Sequence, residues 1–178
     1  VTFGHMMRHW GLVALGNFLG AFTVAVMMAY IFTMGFNTDG GAIAAKVAGI
    51  GEARTLGYAA HGGDGWMTVF IRGMLCNWMV SMGVVGAMIS TSVSGKWLAM
   101  WMPVMLFFFM GFEHSIVNMF LFPFSLIMGG DFTVADYLLW NELPVALGNL
   151  VGGLVFVGLP IYYTHAKTSA ARKLKVKA

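Results

Sequence analysis

The chain has 178 residues, 59% of them hydrophobic and only 10% charged, with a formal net charge of +3. A mean hydropathy of +0.80 with so few charges excludes an ordinary soluble domain and a disordered segment alike, and leaves an integral membrane protein. The net charge comes largely from the last fourteen positions, HAKTSAARKLKVKA, so it speaks to orientation in a bilayer rather than to nucleic-acid binding.

The pattern predicts only helices. The first span is expected at 10 to 34, WGLVALGNFLGAFTVAVMMAYIFTM, which contains no charge, with Arg8 and His9 just before it. The chain opens on Val1 with neither a methionine nor a basic-then-apolar leader, so its true start is expected upstream. Residues 35 to 65 form a Gly-rich aqueous or interfacial connection carrying Asp39, Lys46, Glu52, Arg54, His61 and Asp64, with a short amphipathic helix over 42 to 56. The second span, 66 to 90, holds Arg72 near its beginning, either snorkelling to the interface or attracting anions, and Asn77 deeper in. A lone Cys76 in this apolar run excludes a disulfide framework and a Cys-based metal site and reads as a packing residue.

Residues 96 to 128, KWLAMWMPVMLFFFMGFEHSIVNMFLFPFSLIM, are the unusual stretch. As one α-helix it would run about 50 Å, against a hydrocarbon core of roughly 30 Å. Beyond Lys96 its only ionisable residues are Glu113 and His114, side by side near the middle and just after Met110-Gly111. Charge at such depth lines a polar cavity or meets a partner, and unwound backbone there must be buried in protein or face water. The expectation is a broken helix, two halves at 97 to 110 and 115 to 128 joined by an unwound GFEH segment, with function centred on His114. An acidic connection, 129 to 142, carries Asp131, Asp136 and Glu142; the last span follows at 143 to 164, then the basic tail at 165 to 178. The 24 glycines suit close helix packing in lipid, notably Gly11, Gly16 and Gly20 on the first span and Gly148 and Gly152 on the last.

Lys167, Arg172, Lys173, Lys175 and Lys177 put the C-terminus in the cytoplasm; if the broken element crosses once, Arg8 and Lys96 fall on the same side. Were GFEH a tight turn between two crossings, Lys96 and the tail would lie on opposite sides. The segment VALGNFLG at 13 to 20 recurs at 145 to 152 as VALGNLVG, six of eight residues identical at an offset of 132. Small and apolar residues can produce such a match by chance. Read as a repeat, its two copies start spans of opposite direction three crossings apart, the mark of an inverted repeat of three-span units with the binding site at the midplane. The chain would then be a fragment holding the last four of six spans. About 65 residues would precede Val1, one of their two spans being a second broken helix.

GFEHSIVNM on the broken helix, RGMLCNW at 72 to 78 and the two GN-x-x-G segments resemble the formate/nitrite transporter family of prokaryotic anion channels. The resemblance implies an aquaporin-like fold of six spans with the second and fifth broken, a homopentamer with a pore through each protomer, and residence in the prokaryotic cytoplasmic (inner) membrane. It makes His114 the central pore histidine, supported by Glu113, Asn118 and Asn77, with Phe107 at the cytoplasmic constriction and Val80 at the outer one. The family also carries a lysine before the second-span asparagine. Here the spacing from Asn77 points to His61, whereas the context GEARTLGY points to Arg54, the preferred candidate for a vestibule cation.

A carboxylate is costly to desolvate in an apolar constriction, whereas its neutral acid is not. A mid-membrane histidine can supply a proton or a charge-assisted hydrogen bond, and the amides at the start of the second half-helix add positive potential. By family prevalence the resemblance implies formate or a similar small anion as cargo, with protons and the lipid bilayer as further partners and nitrite or hydrosulfide as the alternative cargo. The bland readings are a packing histidine at His114, a purely interhelical hydrogen bond at Asn77, and lipid-facing rings at Phe107, Phe108 and Phe109. A haem-binding or membrane-anchor subunit of an oxidoreductase would use histidine pairs, but His5, His9, His61 and His165 lie at or beyond the span ends. No phosphate loop, metal cluster or nucleophile constellation argues for an enzyme, and no cofactor or metal is expected.

Overall fold

The computed structural model describes residues 2–167, and every regular element among them is helical. The helices are α1 (Phe3–Phe32), α2 (Gly41–Ala53), α3 (Leu56–Ala59), α4 (Gly62–Ile89), α5 (Val93–Phe109), α6 (Ser115–Ile127) and α7 (Val134–Lys167). Among the described residues α1, α4 and α7 are long and apolar enough to cross a bilayer, and α5 and α6 are shorter apolar helices. Arg172, Lys173, Lys175 and Lys177, on which the orientation argument leans, lie outside the described residues.

Side-chain caps extend α1 and α7 past the apolar spans. Thr2 accepts from the His5 amide to start α1, and Thr133 and Asp136 form a reciprocal capping box that starts α7 nine residues before Leu143. Glu142, expected in the acidic connection, therefore lies in a helix. A wide π-type turn at Leu138–Glu142 ends two residues before Pro144, a residue that would break the hydrogen-bond ladder of a regular α-helix; two further such turns follow at Leu154–Gly158 and Tyr162–Lys167.

The chain forms two compact units, Val1–Thr68 with Ser115–Leu143, and Val69–His114 with Pro144–Ala178. In the first, Ala25 and Ala29 of α1 and Ala44 of α2 pack with Phe124 and Met128, putting small residues against large rings. The 42 to 56 segment is more than interfacial: Ser125 on α6 donates to the Ala48 carbonyl at 3.3 Å, and Gly51 is buried against Ser125 and Phe132. A second cluster stacks Phe122 on Tyr137, with centroids 4.5 Å apart, beside Phe132.

In the second unit α4 and α7 meet backbone to backbone. A Cβ at Gly148 would collide with the Phe70 carbonyl, one at Gly152 with the Met74 carbonyl, and one at Gly73 would lie 2.9 Å from the Val145 oxygen. By contrast, nothing lies within 4 Å of a Cβ built at Gly11, Gly16 or Gly20 of α1. Cys76 is buried as a free thiol on α4.

Candidate functional site

The interruption expected within 96 to 128 lies between Phe109 and Ser115. Gly111 adopts φ +65°, and α5 closes with two hydrogen bonds around it: Phe112 N–H to the Phe107 carbonyl at 3.0 Å, and Gly111 N–H to that of Phe108 at 3.1 Å. This is the helix ending that a glycine in the left-handed region allows at low cost. It turns the chain out of the helix just ahead of Glu113 and His114.

The second unit brings several of the predicted residues together. The Phe107 ring, only 3% exposed, lies 5.8 Å from the His114 imidazole, centroid to centroid. Glu113 is fully buried and His114 half-buried. The Asn149 side-chain amide donates to the Glu113 carbonyl at 3.0 Å and to the Gly73 carbonyl at 2.9 Å, while Asn77 Nδ2 donates to the Asn149 carbonyl at 2.6 Å. Asn77 is thus engaged in an interhelical bond from α4 to α7. Val80 is half-buried on α4, three residues beyond Asn77.

In the first unit Asn118, fully buried, donates to Asn141 Oδ1 at 2.7 Å, and Asn141 donates onward to the Arg54 carbonyl at 3.0 Å. Ser115 at the start of α6 donates to the Glu142 carboxylate, whose other oxygen accepts from the Tyr137 hydroxyl at 2.8 Å. His61, rather than Arg54, lines an open cavity of about 440 Å³ with Tyr58, Asp64 and Thr68. Among the described residues no group of three His, Cys, Asp or Glu side chains is placed to hold a metal.

Sequence reasoning missed Asn149, Asn141 and Glu142 as members of these networks. Asn149 stood in view inside the VALGNLVG copy, yet only as part of a repeat; the other two had no local signal.

The sequence profile described as "Formate/nitrite transporter" matches residues 1–163. The chain belongs to the formate/nitrite transporter family. This family member is 34% identical over 166 residues to the "Probable formate transporter" of Methanothermobacter thermautotrophicus, covering 91% of this chain and 60% of that protein. It is 30% identical over 178 residues to the "Formate channel FocA" of Haemophilus influenzae, covering 89% and 59%. Its fold matches a solved structure described as "Pentameric formate channel with formate bound" with a TM-score of 0.72 at 27% identity, over 89% of this chain and 66% of that one. The chain spans about three fifths of the length of these curated relatives. A formate/nitrite transporter family member with several bilayer-length apolar helices is a multi-pass membrane protein.

Proposed function

We propose that this chain forms most of a channel for small monovalent anions, with formate as its cargo and His114 as the pore group that protonates or hydrogen-bonds the anion. The observation that carries the reading is the helix interruption after Gly111, which sets a histidine on non-helical backbone between two apolar helices, its ring beside that of Phe107. Non-helical backbone is tolerated in lipid only where protein or water surrounds it. An anion meeting an apolar constriction crosses most cheaply as its neutral acid, and an imidazole is the side chain whose ordinary pKa suits that exchange near neutral pH.

On this reading the protein is an aquaporin-like inverted repeat in a prokaryotic cytoplasmic membrane, with the C-terminus inside and five protomers each carrying a pore. Asn77, Glu113 and Asn118 support the site, Phe107 and Val80 narrow it, and Arg54 supplies the vestibule cation. The relatives named for formate support the cargo. The test is uptake by liposomes carrying the protein expressed from its gene, with formate, nitrite and hydrosulfide offered separately. Fastest flux with formate is expected. Faster nitrite or hydrosulfide flux would reassign the cargo, and no flux of any of the three would overturn the channel reading. Light scattering in detergent is expected to give the mass of five protomers; a monomer would contradict the assembly.

A further inference from the structure

The side chain of Asn149 spends both of its N–H donors on main-chain carbonyls from two different segments, Gly73 of α4 at 2.9 Å and Glu113 of the helix interruption at 3.0 Å. Its own main-chain oxygen accepts from Asn77 at 2.6 Å. The glycines around it make this reach possible. A Cβ at Gly73 would sit 3.3 Å from Asn149 Nδ2 and 2.9 Å from the Val145 oxygen, and a Cβ at Gly148 would strike the Phe70 carbonyl. Only with hydrogen at both positions does α7 come near enough to α4 for so short a side chain to touch a third segment. Glu113 lies between α5 and α6, and its neighbour His114 is the next residue along that short loop.

We infer that Asn149 is a positioning residue: by holding the Glu113 carbonyl against α4 and α7 it fixes the turn that aims the His114 imidazole. The inference rests on the reading of His114 as the pore group. From one side the turn is held by the Gly111 helix ending, whose bonds run back to Phe107 and Phe108. Asn149 holds it from the other. An amide is suited to this because it offers two donors in one plane without charge, and charge in lipid is expensive.

The test compares Asn149→Leu, similar in size but without donors, with Gly152→Ala, which strains the same α4–α7 contact at Met74 without touching the loop. Two readouts are taken on full-length protein that light scattering shows to assemble as wild type. One is the formate flux of liposomes from about pH 5 to 8, which spans the ordinary histidine pKa. The other is the imidazole signal of His114 in isotope-labelled protein, assigned by its absence in His114→Asn. Asn149→Leu is expected to shift or split the His114 signal and to lower flux by roughly 10- to 100-fold, the range that small misplacements of a working group produce. Gly152→Ala is expected to lower thermal stability while leaving the signal and the shape of the pH profile as in wild type.

An unchanged His114 signal in assembled Asn149→Leu overturns the inference. If that variant fails to assemble, Asn149→Asp, which keeps the size and a polar head but loses the amide donors, carries the same comparison. If instead His114→Asn keeps the wild-type pH profile, the proton-transfer reading of His114 falls, and the His114 signal alone still decides whether Asn149 holds the loop.

Discussion

The Phe107 ring faces the His114 imidazole at 5.8 Å, centroid to centroid, with the planes inclined by 31°. The same phenylalanine accepts the Phe112 amide through its carbonyl, so its ring and its main chain both shape the approach to the histidine. Truncation at Phe107→Ala removes a ring that is 3% exposed and should cost about 3–5 kcal/mol of stability. If the ring also narrows the pore, the flux of acetate relative to formate should rise in the same variant. Thermal unfolding and paired liposome assays check the two effects; a destabilised protein with unchanged anion preference would leave Phe107 a packing residue.

His114→Asn should keep fold and assembly, because Asn is smaller and still bonds to main chain, yet anion flux should lose its histidine-like pH dependence. Flux into liposomes between about pH 5 and 8 brackets the ordinary histidine pKa of roughly 6.5. A uniform rise at every pH would mean that His114 acts through size alone. Superimposable profiles would remove it from proton transfer.

The vestibule cation separates by charge. A guanidinium is positive at any working pH, whereas an imidazole near its ordinary pKa is not. Arg54→Gln should therefore lower anion influx at pH 6 and pH 8 alike, with a smaller effect at high salt, where screening shortens the reach of the charge to about 3 Å at 1 M. His61→Gln should leave influx as in wild type. The opposite pattern would favour His61, which lines the open cavity with Asp64.

Gly148 is a sharper stability probe. Its Cβ position is occupied by the Phe70 carbonyl and lies 3.0 Å from the Met74 amide nitrogen, main-chain atoms that cannot rotate away. Gly148→Ala should destabilise by about 1–3 kcal/mol despite the better helix propensity of alanine. A melting temperature at or above wild type would show that α4 and α7 are not in this contact in the membrane.

Asn118 and Asn141 can be tested as a pair. Asn118→Leu should cost about 1–3 kcal/mol, because it leaves a buried acceptor without its donor. Adding Asn141→Leu should recover only part of that loss, since Asn141 also donates to the Arg54 carbonyl. A double-mutant cycle with no coupling would contradict the 2.7 Å bond.

Much of this protein is written locally. Apolar run length alone demands bilayer-length helices at α1, α4 and α7, because a helix that must satisfy its own backbone in lipid needs about 20 predominantly apolar residues. The break was legible too. Met110-Gly111 offers a left-handed helix ending, and Glu113-His114 is too polar for a plain span, both properties of neighbouring residues. Family membership was equally readable, since GFEHSIVNM, RGMLCNW and the GN-x-x-G copies are short contiguous words.

What the sequence could not assign is which polar side chain serves which carbonyl. In a one-dimensional reading Asn77, Asn118 and Asn149 look alike, each an amide in an apolar span, and Asn141 stands in the acidic connection. Their partners lie far along the chain: Asn149 reaches Gly73 across 76 residues and Glu113 across 36, and Asn141 reaches Arg54 across 87. Such bonds exist only once helices pack closely enough for a short amide to span the gap. That distance is set by glycines such as Gly73 and Gly148, whose role appears only when a second backbone occupies the space a side chain would fill. Composition and residue pattern determined a membrane protein with a broken helix, and short motifs its family; tertiary packing alone decided that Asn149 bonds to the loop bearing His114, because a hydrogen bond depends on distance in space and not on distance in sequence.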